Sequence, residues 1–498
     1  METYFSKRTW IFLWICLIIL NVVLRLPVTP HEIGHDSFIL HYASDSISTY
    51  GHAKWWLHPL SIVSLYPFSM ASALPFILSG VSQSLSLDME YSIWLVSLIL
   101  GILSAFTAYL MAGVINNDKL FKFITALVYS TFPGILTLTT WNASGRGLFL
   151  VLLPLFIYFI IKFRFSRIRY ILLTVVLFTL ILTTHNLFYL TIPIIMAVVI
   201  ARMNSNIQIK SSNILGGFLL LIMFLVFFTQ FSVRQFIIID LFIIFARYIG
   251  VMGIFALGGF ISLLFKNNKN FEETFLLLVL LFFTPTISYV EYSKYLLLPF
   301  EALIISYGLI NVIRMSNKKK VALTIVMLCF VSSIGFAEFY QFGNTDTESP
   351  YQFAAEDSIV NAAHWTKLYT NKTIFSGDFT VSRRLLAYSG VSAFTEDNIV
   401  SVIQGNLVDF NVTKRSPTSI LFYSEGPFHA EDLNGMNSYF WSKMKVEGYD
   451  AKWVDSYLKR YEIKYYFKDE RSYNAFSKSV VNRTDKLFDI GKFSVWDL

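Results

Sequence analysis

Charged side chains are scarce in this chain of 498 residues: Asp, Glu, Lys and Arg make up only 15% of it, against roughly 25% in an ordinary soluble protein. Hydrophobic residues reach 55%, and the mean hydropathy is +0.56. This composition excludes a single water-soluble globule, a disordered chain and a coiled coil, because so many apolar side chains need lipid as their solvent.

Cysteine is almost absent as well. The two cysteines, Cys16 and Cys329, both fall in apolar runs, and residues 341–498 contain none. That segment is therefore not a disulfide scaffold. Histidine and cysteine also lack the spacing of a metal-binding motif, so the sequence leaves a divalent metal cofactor undetermined.

The charge that is present is unevenly divided along the chain. Residues 1–340 hold 22 Lys/Arg and 13 Asp/Glu, a net charge of +9, whereas residues 341–498 hold 18 and 20, a net charge of −2. The basic character thus belongs to the apolar part, where it indicates loop topology rather than nucleic-acid binding.

Apolar runs predict about 11 membrane-spanning helices in residues 1–340, and segment 235–246 is either an interfacial helix or a re-entrant piece. With a cytoplasmic N-terminus, 16 of the 22 basic residues fall on the inner side, as the positive-inside rule requires. An odd number of spans then places residues 341–498 outside. The first run lacks a cleavage site and is expected to stay as an anchor. The predicted spans lie near residues 10–26, 91–115, 121–139, 147–162, 170–184, 187–201, 213–231, 248–265, 273–289, 295–313 and 321–340.

Two segments are predicted to lie outside the membrane, an outer loop at 27–90 and a C-terminal domain at 341–498. The second is expected to be an α/β or α+β domain of about 150 residues. Sequons occur at Asn142, Asn371, Asn411 and Asn482, all on the predicted outer side, which fits a surface where N-glycosylation occurs. Within the domain the pattern predicts helices at 354–370, 380–388 and 454–461, extended segments at 373–376 and 463–467, and a hairpin at 486–498 around Ile490-Gly491.

The outer loop concentrates polar side chains. Five of the eight histidines lie between residues 29 and 59, together with Glu32, Asp36 and Asp45. Asp36 follows the first span by about ten residues and is expected near the membrane surface. The apolar spacing over 37–50 predicts an amphipathic helix lying on the bilayer. Trp55 and Trp56 suit an interfacial anchor.

The order of these segments resembles that of the polytopic GT-C glycosyltransferases, which use polyprenyl-phosphate-linked sugars. A span, an outer loop with an acid, surface helices, many further spans and an outward α/β tail are common to both. Oligosaccharyltransferase catalytic subunits and protein mannosyltransferases belong to this group, and the archaeal members are the most similar. The motifs that carry the resemblance are Asp36-Ser37, Tyr50-Gly51, Tyr66-Pro67, the segment YSKYLLLP at 292–299 and the ending KLFDIGKFSVWDL.

The sequence also departs from these families. Oligosaccharyltransferase subunits carry a second acidic pair in the next outer loop, whereas residues 139–147 (TTWNASGRG) hold no acid. Their Trp-Trp-Asp-Tyr-Gly acceptor motif is missing from the tail. Protein mannosyltransferases have an Asp-Glu pair where this chain has Asp36-Ser37. Transfer to an Asn sequon is therefore not expected.

The resemblance implies roles for individual residues. Asp36 would be the catalytic base, and the alternative is that it caps the helix that follows it. Three cations at outer ends of spans would bind the donor phosphate, or else only extend to the interface; they are Arg146, Lys294 and Arg247. Four further residues are expected near the acceptor or a metal, although solvated loop histidines are common; they are Glu32, His35, His52 and Glu291.

The resemblance implies transfer of a sugar from a polyprenyl-phosphate donor to a hydroxyl group, with inversion, on the outer face of the cell membrane. The acceptor would be a lipid-linked glycan or a surface protein. Two other classes stay open, a transporter or flippase of a lipid-linked sugar and a non-catalytic scaffold of a surface glycosylation complex. A transporter should show halves of matching hydropathy, and no such symmetry is present.

Overall fold

The fold comes from a computed structural model of the chain. The structure describes residues 6–56, 58–63, 73–163, 168–203, 217, 246–283, 293–316, 318–343, 354–370, 373–375, 379–395, 403–404, 410–417, 419, 422, 426–432, 436–471 and 474–498.

The described part of residues 1–343 is helical, as its long apolar runs require, because a helix satisfies its own backbone hydrogen bonds in lipid. Two short 3₁₀ helices, Asn186–Leu190 and Gly250–Gly253, each lead directly into a longer helix. The α-helices are α1 (Lys7–Val23), α2 (His35–Tyr50), α3 (Pro59–Ile62), α4 (Ala73–Leu85), α5 (Met89–Ile115), α6 (Lys119–Ser130), α7 (Pro133–Thr139), α8 (Gly145–Lys162), α9 (Ile168–Thr184), α10 (Thr191–Met203), α11 (Ile254–Phe265), α12 (Phe271–Phe283), α13 (Ser293–Met315) and α14 (Lys319–Gly343).

Within the described ranges, six helices are long and apolar enough to cross a membrane, or seven if α6 and α7, bent by 57°, form one span. Helices α4 and α9 are shorter and apolar. Every predicted span except 213–231 coincides with a described helix. That span, apart from residue 217, and segment 235–246, apart from Ala246, lie outside the described residues. The polytopic helical architecture is confirmed, whereas the number of spans stays a prediction.

Helices α11 and α13 approach each other closely enough for their backbones to touch. A Cβ atom added to Gly259 would lie 2.0 Å from the carbonyl oxygen of Ile304, and one added to Gly308 would lie 2.2 Å from that of Phe255. Small residues allow such contacts between membrane helices, where packing rather than the hydrophobic effect drives association. This contact joins α11 to the helix that begins beside Lys294.

Replacing Gly259 by Ala is therefore expected to destabilise the fold, because the new methyl group meets backbone atoms that cannot rotate away. We expect a loss of about 1–3 kcal/mol, seen as a lower thermal unfolding midpoint of the purified protein in detergent. Gly258→Ala is the matched control, since a Cβ atom there meets nothing within 4 Å and gains the same helix propensity. Equal midpoints for the two variants would contradict the close helix contact.

A five-stranded sheet forms the centre of the C-terminal part, with strand order β2-β1-β5-β7-β6. Strand β1 pairs in parallel with β2 and β5, while β7 pairs antiparallel with β5 and β6. A separate antiparallel pair joins β3 to β4. The strands are β1 (Thr373–Phe375), β2 (Ala393–Phe394), β3 (Phe410–Lys414), β4 (Phe428–Asp432), β5 (Ile463–Asp469), β6 (Lys486–Ile490) and β7 (Phe493–Asp497).

The predicted elements of this part are confirmed. The predicted helices and extended segments coincide with described ones, and β6 and β7 form the predicted terminal hairpin. Its turn needs glycine, because Gly491 has a φ of +59°, a left-handed conformation that costs a glycine little. The helices beside the sheet are α15 (Asp357–Tyr369), α16 (Phe379–Ser389), α17 (Met436–Glu447), α18 (Lys452–Arg460) and α19 (Ala475–Arg483).

Helix α2 lies between the membrane part and the C-terminal sheet and is buried on several sides. Phe38 belongs to the core of the sheet, and Ile39 packs in a second cluster with Leu386 of α16. Leu40 belongs to a third cluster, with Trp141 of the membrane part. Three consecutive residues thus enter three different clusters, which fixes α2 firmly between the two parts.

This placement corrects two predictions. Helix α2 does not lie on the bilayer with one apolar face in lipid, because protein covers that face and also much of the opposite one. Trp55 is not an interfacial anchor, since its side chain is fully buried beside α2, whereas Trp56 is exposed. An amphipathic pattern reports that a face is apolar but not whether lipid or protein covers it.

Candidate functional site

Asp36 lies in the first turn of α2. The N-cap residue, just before the helix, is Gly34, with a φ of +106°, and it makes no side-chain capping bond. A side chain at Gly34 would also collide with Asn142, since a Cβ atom there would lie 2.8 Å from Asn142 Oδ1. Asp36 is therefore not the helix cap that the sequence left as an alternative. Its carboxylate sits at the positive end of the helix dipole, which stabilises the negative charge.

Arg146 approaches Asp36 from the start of α8. Ser144 caps this helix by accepting a hydrogen bond from the amide of Gly147, so Arg146 lies in the first turn. Its Nη2 atom donates to Asp36 Oδ2 at 2.5 Å, and the two side chains are 20% and 40% exposed. The structure thus joins the predicted base to one of the predicted phosphate-binding cations.

Two tyrosines connect Arg146 with Lys294. The Lys294 Nζ atom lies 4.9 Å from the ring centre of Tyr248 and 5.6 Å from that of Tyr295. The guanidinium carbon of Arg146 lies 5.9 Å from the same Tyr295 ring. The Tyr295 hydroxyl donates to that of Tyr248 at 3.3 Å. A cation within about 6 Å of an aromatic ring is attracted to its face, so the Tyr295 ring links the two positive charges at the beginnings of α8 and α13.

His185 also belongs to this site, although the sequence did not single it out. The charges of Arg146 and Asp36 both act on its ring. It precedes the 3₁₀ helix Asn186–Leu190, where its Nδ1 accepts a hydrogen bond from the Leu187 amide at 3.2 Å. A neutral ring with Nδ1 as acceptor carries its proton on Nε2. The polar string Thr-Thr-His-Asn between two apolar runs was the only signal in the sequence.

A chain of hydrogen bonds fixes α2 behind Asp36. The Ser37 hydroxyl donates to Glu32 Oε2 at 2.6 Å and accepts from the Ala143 amide at 2.8 Å. Glu32 is fully buried, and its Oε1 lies 2.5 Å from His41 Nδ1. The segment just before Arg146 is thus tied to the residue just after Asp36, which holds the ion pair in register.

His41 is charged in this arrangement. Its two ring nitrogens face carboxylates, with Asp45 3.5 Å from Nε2 on the side opposite Glu32. Burial lowers the pKa of His41, but the charges and hydrogen bonds of Glu32 and Asp45 outweigh it and raise the pKa to about 10. A buried carboxylate needs a charged partner, and His41 is that partner for Glu32. The ion pair therefore gives Glu32 a structural role.

A second ionic cluster joins the C-terminal part to the outer loop. His31 Nδ1 lies 3.0 Å from Glu90 Oε1, and His31 Nε2 lies 3.0 Å from Asp357 Oδ1. The Tyr388 hydroxyl donates to Glu90 at 3.1 Å. Since both nitrogens of His31 face carboxylates, the ring donates from both and is an imidazolium. We call these four residues the clasp.

The clasp makes the attachment of the C-terminal part pH-dependent. Burial lowers the pKa of His31, but Glu90 and Asp357 outweigh it and raise the pKa above its ordinary value of 6.5. For a histidine with a raised pKa, the stabilisation is complete below the unfolded value and is lost as the pH rises through the folded value. We therefore expect stability to fall above neutral pH, by roughly 1–2 kcal/mol.

The measurement is the thermal unfolding midpoint of the purified protein as the pH is raised from acidic to alkaline values. His31→Gln should lower the midpoint at acidic pH and flatten the profile, because the amide carries no titrating proton. His52→Gln is the control, since His52 is an exposed histidine of the same loop that contacts the Tyr50 carbonyl oxygen at 3.0 Å. An unchanged profile in His31→Gln would contradict the clasp.

The remaining predicted site residues lie in different places. His35 is half-buried next to Asp36 in the first turn of α2. His52 follows the far end of α2, so the length of a 16-residue helix, roughly 24 Å, separates it from Asp36. Arg247 is exposed and precedes Tyr248, so it points about 100° away from that residue around the helix. Glu291 lies outside the described residues.

Asn142 is partly buried and hydrogen-bonded in this fold. Its side-chain amide donates to the Thr137 carbonyl oxygen at 3.1 Å, and its backbone carbonyl accepts from the Ser97 hydroxyl. This sequon therefore has a packing role beside Gly34. The sequon residues Asn411 and Asn482, in contrast, are exposed.

Comparison with known proteins supports the fold of this site. No protein-family model matches the chain, and no curated protein matches it by sequence. Three solved structures of the Archaeoglobus fulgidus oligosaccharyltransferase are similar in fold. One is tethered to an acceptor peptide containing the NVT sequon, with TM-score 0.61, 12% identity and coverage of 94% of this chain and 70% of that chain.

The other two structures hold different ligands. The complex with Zn and sulfate has TM-score 0.60 and 13% identity, over 92% of this chain and 68% of that chain. The complex of the oligosaccharyltransferase AglB from the same organism with an inhibitory peptide and a dolichol-phosphate has TM-score 0.59 and 11% identity, over 94% of this chain and 70% of that chain. The predicted GT-C-like fold is confirmed. Because identity is this low, the similarity establishes the fold and leaves the assigned site residues as predictions.

Proposed function

We propose that this chain is a membrane glycosyltransferase of the GT-C type. It takes a sugar from a polyprenyl-phosphate carrier and transfers it to a hydroxyl acceptor on the outer face of the membrane. The observation that carries this proposal is the Asp36–Arg146 ion pair beside Lys294 at the beginnings of α8 and α13. The fold supports it, because a solved protein of the same fold binds a dolichol-phosphate.

The reaction needs a base and a cation. The acceptor oxygen forms a bond to the anomeric carbon as the bond from that carbon to the phosphate oxygen breaks. The phosphate leaves with the bonding electrons, and Asp36 takes the acceptor proton. A carboxylate in hydrogen-bond reach contributes about 10²–10⁴-fold as a general base. This single displacement inverts the anomeric centre, as it does in glycosidases that use one step.

The cations serve the leaving group. Arg146 and Lys294 lie at the start of membrane helices, where a phosphate rests if its prenyl chain lies in the bilayer. Charge-assisted hydrogen bonds there hold the phosphate and stabilise the charge that develops on it. Tyr248 and Tyr295 keep both side chains in place. Arg247, on another side of its helix, is not needed in this scheme.

The acceptor differs from a peptide sequon in this proposal. The loop at 139–147 contributes Asn142 and Arg146 where an oligosaccharyltransferase carries acids, and Asn142 is engaged in packing. A hydroxyl group on a lipid-linked glycan or surface protein needs one base, and Asp36 supplies it. A flippase makes no glycosidic bond, so it needs no general base for an acceptor hydroxyl.

A transfer assay tests the proposal. Purified chain in lipid nanodiscs is incubated with a radiolabelled polyprenyl-phosphate sugar and with membranes that supply hydroxyl acceptors. We expect label to move from the lipid fraction to an acceptor, with inverted configuration at the anomeric carbon. Movement of intact donor across a sealed vesicle, with no new glycosidic bond, would instead establish a transporter.

The orientation is part of this proposal. If the N-terminus is cytoplasmic, Lys367 of α15 faces outward and Asn267, in the loop between α11 and α12, faces inward; both side chains are exposed. In a background without Cys16 and Cys329, Lys367→Cys should react with a membrane-impermeant maleimide in intact cells. Asn267→Cys should react only after lysis. The opposite pattern would place the whole site on the inner face.

A further inference from the structure

We propose that Arg146 supplies at Asp36 the positive charge that a divalent cation would otherwise provide, so that this site works without a metal. The inference rests on the proposed function. Its basis is geometric. Arg146 Nη2 donates a hydrogen bond to Asp36 Oδ2 at 2.5 Å. The hydrogen bonds of the Ser37 hydroxyl to Glu32 and from the Ala143 amide hold both residues in these positions.

The ligands around Asp36 do not fit a divalent cation. Mg²⁺ and Mn²⁺ select several carboxylate or carbonyl oxygens, and Zn²⁺ selects imidazole, thiolate or carboxylate. The loop that faces Asp36 carries Asn142, Ser144 and Arg146 but no acid, imidazole or thiolate. The imidazole of His185 also lies at this site, but its Nδ1 already accepts from a backbone amide, so it would offer a metal only one nitrogen beside the Asp36 carboxylate. Over the described ranges, no three His, Cys, Asp or Glu side chains are grouped so that they could hold an ion.

Two acids of the outer loop region, Glu32 and Glu90, already have other partners. Glu32 accepts a hydrogen bond from the Ser37 hydroxyl and forms an ion pair with His41. Glu90 accepts from His31, from Tyr388 and from the backbone amide of Glu32. Turning either carboxylate toward Asp36 would break its ion pair with a histidine and leave that histidine's charge without its partner. A metal would also have to displace the guanidinium from Asp36.

A guanidinium, like a metal ion, can stabilise the negative charge of a carboxylate and a phosphate. Arg stays charged at every working pH and presents donors in a fixed planar fork that suits both carboxylate and phosphate. At this site the fork reaches Asp36 and is held at the ring of Tyr295. Arg146 is therefore proposed to orient the base and to neutralise the leaving phosphate at once.

Binding of Mn²⁺ to the full chain in nanodiscs, followed by electron paramagnetic resonance, tests this proposal without relying on activity. We expect the wild type and Asp36→Asn to bind the same amount of Mn²⁺. Asp455→Asn is the control for weak surface binding, because Asp455 is an exposed carboxylate of α18. Stoichiometric binding by the wild type that Asp36→Asn abolishes and Asp455→Asn retains would overturn the proposal.

The transfer assay gives the second test. After exhaustive chelation, we expect the rate to stay within a factor of about two, whereas loss of a metal worth several kcal/mol would lower it by about 10²-fold or more. A loss of that size that added Mn²⁺ restores would overturn the proposal. If no variant transfers sugar at all, the proposed function fails, and the Mn²⁺ measurement still decides whether Asp36 holds a metal.

Discussion

Asp36→Asn should lower the rate of sugar transfer by at least about 10²-fold, with little change in protein level. Asparagine keeps the shape of the side chain and an oxygen that can accept from Arg146, but it cannot take the acceptor proton. Because Gly34 rather than Asp36 is the N-cap residue of α2, the helix loses no cap in this variant. Turnover is measured with purified donor at saturating concentration.

Asp88→Asn is the control for that experiment. Asp88 is an exposed carboxylate of the same outer region, and it precedes α5 without making a side-chain capping bond. Its variant should transfer sugar at the wild-type rate. Near-normal turnover by Asp36→Asn would show that Asp36 serves only as the ionic partner of Arg146 and that another group is the base.

Arg146→Gln and Lys294→Gln should give different kinetic signatures. Lys294 contacts the phosphate in both the ground state and the transition state in our proposal, so its loss should mainly weaken donor binding. The loss of one charge-assisted contact costs about 1.5–3 kcal/mol, or roughly 10- to 150-fold in the donor KM. Arg146 also orients Asp36, so its loss should lower kcat as well, by about 10²–10³-fold.

Arg146→Lys separates charge from geometry. Lysine keeps the positive charge but lacks the planar fork, so donor KM should recover more than kcat. The measurement is the dependence of the initial rate on purified donor concentration for the four proteins. If Lys294→Gln and Arg146→Gln both leave this dependence unchanged, the phosphate binds elsewhere and both residues are interfacial.

The periodicity of apolar residues and the residue types at turns were sufficient to predict much of the fold. Helices α15, α16 and α18 and strands β1 and β5 followed from local patterns, and the hairpin followed from Ile490-Gly491 between two alternating segments. Helices α17 and α19 and strands β2, β3 and β4 were not predicted. These signals are local, because apolar spacing and a glycine turn act within a few residues. The helical membrane part followed in the same way from apolar runs.

The site required information that a single sequence does not contain. Asp36 and Arg146 were selected separately, as an acid in an outer loop and a cation at a helix start, yet 110 positions separate them in the chain. The clasp joins His31 to Asp357 across 326 positions. Nothing in local spacing reports such pairs. His185 was overlooked because a histidine between apolar runs has the same pattern whether it packs or functions.

The three hydrophobic clusters that contain residues of α2 affect how sequence variation in this helix should be interpreted. Phe38, Ile39 and Leu40 each serve a different core, so variation at any of them disturbs a separate region of the molecule. We therefore expect relatives to keep apolar side chains of similar size at these positions for packing reasons alone. Asp36 is 40% exposed and belongs to none of those cores. If Asp36 is the base, as we propose, it is the one of these four neighbours whose identity should differ between active and inactive relatives.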